Sequence, residues 1–202
     1  MNIRISVKTA VVCLMLMLTL SACSALTRSD EPAMTTWWLV PYTGAARLET
    51  NADNLPQLVL VHVSAIPGLD SDRILALTAD AELKPYAGAR WTDHIPELAA
   101  SLIGRTLEAS GRFELASVGS QGPAERCDLT LEVREFFAFT GASGQTDRVM
   151  VAMDGFYQCG SDAAVHIQLK RSVNVTDSRM KTVVAAYQRA CDEVMKELLG
   201  QM

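Results

Sequence analysis

The chain has 202 residues, of which 49% are hydrophobic and 20% are charged, and its formal net charge at pH 7 is −5. This length suits one folded domain with a substantial core. The acidic balance argues against nucleic acid or anionic lipid headgroups as the principal partner.

The first predicted element is a short apolar run that follows a basic start. Arg4 and Lys8 precede Ala10–Leu20, which is apolar except for one threonine. At about 1.5 Å per residue the run spans roughly 16 Å, or about half of a hydrocarbon core of about 30 Å. This layout is typical of a secretory signal peptide, and we predict one over residues 1–22. A buried N-terminal helix of the folded domain is the alternative.

The apolar run ends in Leu20-Ser21-Ala22-Cys23, which resembles the bacterial lipobox. The resemblance implies that Cys23 receives a diacylglycerol, becomes the first residue after cleavage and carries further acyl chains such as palmitate. The next residue is Ser24 and not the aspartate that retains enteric lipoproteins at the inner membrane, so the implied location is the periplasmic face of the outer membrane. Residues 23–36 are polar and are predicted to form a flexible tether, with an ordered extension as the alternative.

The folded domain is predicted to occupy residues 37–202 and to begin with short strands. Trp37–Tyr42 is the first, Leu58–Val63 is nearly continuously apolar and typical of a strand covered on both faces, and Asp72–Leu77 is the third. A helix is predicted next, because apolar residues recur at spacings of three and four after Ile95, Pro96 fits a first helical turn, and Gly111 fits a helix end.

The period then changes to two, which predicts antiparallel strands. Leu129, Leu131 and Val133 alternate with polar residues, the loop TGASGQT follows, and further strands cover Arg148–Cys159 and the region from Val165. The chain ends in a helix that we expect to pack on the core. Its apolar stripe consists of Val184, Tyr187, Cys191, Val194 and Leu198. The predicted fold is a two-layer α+β domain, with a mostly antiparallel sheet and two helices packed on one face.

The chain as a whole resembles the ABC-type transport auxiliary lipoproteins, the PqiC-like group associated with MCE-protein lipid transport. The resemblance covers Trp37 to Leu199 and is carried by the lipobox and by three segments, WWLVPY, IPGLDSDRILAL and LKPYAGARWTDHIPELAASLIGRTLEASGRF. After the tryptophan of the third segment, where the family often has an acidic or small residue and a proline–leucine pair, this chain has Thr92-Asp93-His94-Ile95-Pro96.

The resemblance implies a lipoprotein of the outer membrane without enzymatic activity. Such a protein would dock an MCE-domain protein of an ABC-type transport system and help to move phospholipid or other hydrophobic molecules between membranes. Assembly with copies of itself stays open. The alternative is a lipid-anchored binding or envelope-assembly module that is not tied to an ABC transporter.

The motifs offer little competing chemistry. His62, His94 and His166 lie in different predicted elements and outside any HExxH or CxxC spacing, so we predict no metal site and no cofactor. His62 has apolar neighbours, which favours a core or edge histidine over a catalytic one. We therefore predict no catalytic residues and no enzyme.

The aromatic and arginine residues have two interpretations. Trp91 could fill the core where a loop enters the helix, while Arg90 caps carbonyls or pairs with an acid; this is the interpretation that we favour. Alternatively Tyr86, Arg90 and Trp91 form a partner interface, because aromatic and arginine side chains anchor interfaces. Trp37 and Trp38 are neighbours on a predicted strand, so one indole is expected in the core and the other at a surface open to a partner.

A disulfide between Cys127 and Cys159 is predicted, because export places these cysteines in an oxidising compartment. If the strands around TGASGQT form a hairpin centred on Ser143, the two cysteines face each other. The same register pairs Leu129 with Tyr157, Leu131 with Gly155, Val133 with Met153 and Phe137 with Val149, and leaves Glu135 opposite Val151 as one mismatch. Cys159–Cys191 is the rival pairing, and three unpaired core cysteines are the other alternative.

Overall fold

A computed structural model describes residues 33–44, 55–116 and 126–202. The predicted signal peptide over residues 1–22, Cys23 and the predicted tether up to residue 32 lie outside the described residues. Met34–Met202 form one compact unit. Its described elements are β1 (Thr35–Trp37), β2 (Gln57–Ala65), β3 (Arg73–Thr78), β4 (Leu83–Trp91), α1 (Ile95–Ser110), β5 (Glu114–Ala116), β6 (Arg126–Thr140), β7 (Thr146–Cys159), β8 (Val165–Asn174) and α2 (Met180–Gln201).

The sheet is built around β6, its longest described strand. β7 pairs antiparallel along one edge of β6, and β8 follows antiparallel outside β7. The other edge of β6 is shared, because β2 pairs parallel with its first part and β3 pairs parallel with its end. β5 lies outside β2, and β4 and then β1 lie outside β3.

The predicted α+β fold is confirmed, with a mixed sheet where a mostly antiparallel one was expected. Among the described strands, four pairs are parallel, namely β1–β4, β2–β5, β2–β6 and β3–β6. Parallel neighbours need a crossover connection, and here α1 lies between the early strands and β6 in the chain. The alternation within each strand specifies which face is buried and leaves the direction of the neighbouring strand open.

Several predicted element boundaries were wrong. The strand expected over Trp37–Tyr42 is Thr35–Trp37, so it ends early and includes Thr35 and Thr36, which were expected to belong to the flexible tether. The loop expected before the first helix is the nine-residue strand β4. β4 contains Pro85 and Gly88, residues that argue against a strand, and it tolerates them because it lies near the sheet margin. Gly88 has a φ of 67°, a left-handed conformation that favours glycine, in a strand whose pairing with β3 is irregular.

The ends of α1 and the packing of α2 agree with the sequence pattern. Pro96 lies in the first turn of α1, and Gly111 ends that helix with a φ of 65°. The five residues of the predicted α2 stripe are all buried. The core contains an aromatic cluster, in which Trp91 of β4 meets Phe136 of β6 and Tyr187 of α2 at ring-centroid distances of 5.7 and 5.0 Å.

The β6–β7 hairpin follows the predicted register from Cys127 to Val133 and departs from it afterwards. A bulge between Val133 and Glu135 places Glu135 opposite Ala152. The predicted pairing of Phe137 with Val149 is therefore wrong, since Phe137 faces Met150. The extra residue removes the mismatch that a continuous register would create, because Phe136 instead of Glu135 now faces the core.

Gly155 of β7 lies directly against the backbone of β6, with no room for a side chain. A Cβ at this position would overlap the carbonyl oxygen of Thr130 and would lie 2.9 Å from the Cα of Leu131. We expect Gly155→Ala to lower the free energy of unfolding by about 1–3 kcal/mol, because the two strands must move apart. Urea denaturation measures this effect. Gly144→Ala is unsuitable as a control because of its positive φ, whereas Gly200→Ala meets no atom within 4 Å and should change stability little.

Candidate docking surfaces

The three residues of the predicted β4 interface separate in the structure. Trp91 is only 1% exposed and lies in the aromatic cluster, so it is not on the surface. Tyr86 is half-buried, and its hydroxyl is hydrogen-bonded to Thr146 Oγ1 at 2.6 Å. Arg90 is exposed. It donates a hydrogen bond from Nε to Thr36 Oγ1 at 3.2 Å and lies 3.8 Å from Asp72, so of the three it is the one that a partner can reach.

The adjacent tryptophans are also separated. Trp37 is half-buried and is in register with Trp91, and its Nε1 is buried without a hydrogen-bond partner in the part of the chain that the structure describes. Trp38, directly after β1, is 59% exposed. The guanidinium carbon of Arg105 in α1 lies 5.9 Å from the centre of its ring. Trp38 is therefore the exposed indole of the pair, and it lies on the helix side of the domain.

The opposite side of the sheet carries no helix among the described residues. We call this surface the helix-free face and define it by Glu135, Phe137, Phe139, Arg148, Met150, Asp154, Phe156, His166, Gln168 and Lys170 of β6, β7 and β8. Phe156 is 54% exposed and stacks on His166 at 5.1 Å. Arg148 lies over the Phe139 ring at 4.2 Å.

Two pairs of opposite polarity lie on the helix-free face, whose remaining cation is Arg148 over Phe139. Lys170 Nζ donates a hydrogen bond to Glu135 Oε1 at 2.6 Å, so the bulge in β6 brings Glu135 to a cation. His166 Nε2 lies 3.0 Å from Asp154 Oδ1. This hydrogen bond lowers the pKa of Asp154 below its usual range, since it favours the ionised carboxylate. The surface thus combines exposed aromatic area with paired charges.

Sequence reasoning did not single out the helix-free face. The signal was present, because Phe156 and His166 fall on the strand positions opposite to the buried ones. What the sequence did not contain was the pairing of β7 with β8, which places these two rings side by side.

The structure also brings together Asp70, His94 and Glu97, which the sequence separates. Their ligand atoms lie within 4.8 Å of one another, all three side chains are exposed, and His94 Nδ1 is 3.2 Å from Asp70 Oδ1. The cluster lies at the N-terminus of α1, where the helix dipole disfavours a cation. An acidic residue such as Glu97 in the first turn is favourable at a helix N-terminus, and His94 is already in contact with Asp70. The three residues therefore need no metal to explain them, and we assign none.

A groove of about 560 Å³ lies between β8 and the end of α2. Arg171 dominates it, with Nη1 2.9 Å from Glu197 Oε2 and Nε 3.7 Å from Glu193. These contacts form an ion-pair network between strand and helix. No described helix is long and apolar enough to cross a membrane.

Cys127 and Cys159 form the predicted disulfide, and Cys191 is a buried free thiol. The Tyr157 hydroxyl lies 2.8 Å from Cys159 Sγ and 3.4 Å from Cys127 Sγ. The bridge closes the open end of the β6–β7 hairpin, far from the TGASGQT loop.

Cys191 is expected to resist alkylation in the folded protein. Burial, and then the nearby Asp192, raise the pKa of the thiol to about 12, so at pH 8 the reactive thiolate is scarce. Treatment with iodoacetamide at pH 8 followed by mass spectrometry should find Cys191 unmodified without denaturant and modified in urea. Rapid labelling of the native protein would contradict this expectation.

Comparisons with known proteins agree with this architecture. The sequence model of the ABC-type transport auxiliary lipoprotein component family matches residues 40–198. The fold is similar to the crystal structure of a Xanthomonas campestris protein of family DUF330, with a TM-score of 0.61 and 22% identity over 82% of this chain and 93% of that chain. Another crystal structure, of an uncharacterized protein, has a TM-score of 0.58 and 10% identity over 84% of this chain and 98% of that chain.

At these identities the two solved structures support the fold alone. No curated protein matches the chain. The family match covers most of the sequence and confirms the resemblance to the ABC-type transport auxiliary lipoproteins. The chain therefore belongs to the ABC-type transport auxiliary lipoprotein family.

Proposed function

We propose that this protein is an outer-membrane lipoprotein that docks an MCE-domain protein of an ABC-type transport system on the periplasmic side. The observation that carries the proposal is the family match over residues 40–198, preceded by a lipobox-like segment that ends at Cys23. The role has no catalytic step and needs no cofactor. It consists of holding a partner at a fixed place near the membrane.

Cys23 supplies the attachment in this proposal. The acyl chains on the cysteine hold the protein at the outer membrane, since two or more chains anchor a protein firmly where one binds reversibly. The residue after Cys23 supports the outer membrane as the destination, because it is Ser24 and not the aspartate that retains enteric lipoproteins at the inner membrane. The acidic domain gains little from anionic headgroups, so attachment depends on the lipid.

The helix-free face is the surface that we assign to the MCE-domain partner. Its aromatic rings, methionine and arginine are residue types enriched in protein interfaces. Phe156 is held by stacking on His166, and its neighbours form ion pairs within the face, so a partner would meet an ordered surface with few unpaired charges. Arg90 extends the exposed sheet surface at β4.

Photo-crosslinking in intact cells tests the docking role. A photoreactive amino acid at Phe156 should capture the MCE-domain protein encoded beside the transporter genes. The matched control is the same amino acid at Arg189, which lies on the exposed side of α2. Capture at neither position, with the protein correctly folded and localised, would contradict docking. Capture of another copy of this chain would identify self-assembly at this face.

Membrane fractionation tests the anchor separately. Cys23→Ser removes the predicted acylation site, so the variant should stay unprocessed or appear in the soluble fraction. The wild-type protein should fractionate with the outer membrane. If Cys23→Ser still fractionates with the outer membrane after a carbonate wash, the assignment of Cys23 is wrong.

A further inference from the structure

The segment after β1 crosses the helix layer and displays two apolar side chains. Trp38 lies in a groove beside α1, and both the backbone N–H and the C=O of Val40 are hydrogen-bonded to the Gln188 side chain of α2, each at 2.8 Å. Leu39, between Trp38 and Val40, is buried, and so is Pro41, which follows Val40. The extended backbone therefore points Leu39 and Pro41 inward and Trp38 and Val40 outward.

Trp38 and Val40 are the two most exposed large hydrophobic side chains in the described part of the protein, at 59% and 58%. Their display is ordered, because Gln188 holds both backbone groups of Val40 and is itself hydrogen-bonded to Asp192. With its N–H and C=O already satisfied, Val40 can enter an apolar environment without an unpaired backbone group. We call Trp38 and Val40 the bridge patch.

The charges around the bridge patch favour an uncharged or zwitterionic lipid surface. Arg105 is the cation beside Trp38, whereas Asp93 and Glu97 line the same groove nearer the start of α1. The groove therefore has no excess of positive charge with which to attract anionic headgroups. A tryptophan with an adjacent arginine suits the membrane interface, where an amphipathic ring lies at headgroup level.

The bridge patch also begins only a few residues after the tether. The chain from Cys23 to Met34 spans at most about 40 Å when fully extended, so an anchored domain always stays close to the leaflet. We infer that Trp38 and Val40 insert into the interface of the leaflet that holds the Cys23 lipid. This inference rests on the proposed anchor. It directs the helix side toward the membrane and leaves the helix-free face open to the periplasmic partner.

Quenching of tryptophan fluorescence by brominated lipid tests the inference. The full-length lipidated protein is incorporated into phosphatidylethanolamine vesicles that contain brominated phosphatidylcholine, and flotation with the vesicles reports the anchor independently. We expect the wild-type emission to be quenched and the quenching to be lost in Trp38→Phe, which would assign it to Trp38 and not to Trp37 or Trp91. High salt should leave the quenching unchanged.

Val40→Asp provides a variant that retains the Trp38 reporter. The new charge should keep the patch out of the bilayer, so we expect the quenching to be lost while the protein still floats. Val165→Asp, at the exposed valine of β8, is the matched control and should be quenched like the wild type. Wild-type protein that floats without quenching would overturn the inference and leave the anchor intact, and failure to float would overturn both. Capture of an MCE-domain protein by a crosslinker at Trp38 would overturn the inference in favour of a protein interface.

Discussion

Replacing Trp91 by Ala is expected to lower the free energy of unfolding by about 3–5 kcal/mol, which is a large part of the stability of a typical domain. The indole is 1% exposed and joins three elements, because it contacts Phe136 of β6 and Tyr187 of α2 from its own position in β4. Truncation would leave a cavity among rigid rings that close over it only partly. Urea denaturation monitored by circular dichroism measures the loss.

Trp91→Phe tests the contribution of packing alone. Trp91 Nε1 has no hydrogen-bond partner within the described residues, so Phe loses only part of the packing and should cost clearly less than Ala. Trp38→Ala is the control at an exposed indole and should change stability by less than about 1 kcal/mol. Equal effects of Trp91→Ala and Trp38→Ala would show that the described core is wrong.

Removal of the Cys127–Cys159 disulfide is expected to destabilise the protein by about 3–4 kcal/mol, which is the chain-entropy value for a loop with a sequence separation of 32. The bridge restrains the unfolded chain across the whole β6–β7 hairpin. The double variant Cys127→Ala/Cys159→Ala should therefore unfold at a lower urea concentration than the oxidised wild type. Ala is preferred to Ser because Cys127 is fully buried and a hydroxyl there would lose its hydrogen bonds to water.

A reductant supplies the internal control for this experiment. Dithiothreitol should lower the unfolding midpoint of the wild type toward that of the double variant and leave the double variant unchanged. Non-reducing peptide mapping of periplasm-derived protein should recover Cys127 joined to Cys159 and Cys191 as a free thiol. A peptide that joins Cys159 to Cys191, or a midpoint that does not respond to reductant, would contradict the bridge.

The sequence predicted the hairpin register correctly as far as the bulge. It also contained a sign of where the observed register would differ from a continuous one. The pairing of Glu135 with Val151 was the one mismatch in a continuous register, and the bulge lies beside it. Burying a charged side chain in the core is unfavourable, and one extra residue in the strand turns that side chain to the other face. The resulting contact of Glu135 with Lys170 depends on β8. No pattern within the β6–β7 hairpin predicted this contact.

The candidate surfaces were predicted less completely than the fold. Local alternation separated Trp37 from Trp38 but did not say which would face the core, and the segment around Trp91 offered two interpretations. The packing of Trp91 against two distant elements decided the question for that residue. Phe156 had no distinguishing motif, and its exposure follows from the placement of both helices on the other side of the sheet.

The sequence by itself determined the lipobox-like start, the family, the two helices, the long C-terminal strands and the facing of Cys127 and Cys159. These features depend on short-range periodicity, capping residues and local register, which are written in consecutive residues. Only the tertiary structure decided that β2 and β3 share one edge of β6, that β4 is a strand and that Gln188 holds Val40 across the helix layer. Periodicity specifies which face of an element is buried, whereas the neighbour and its direction depend on packing between residues far apart in the chain.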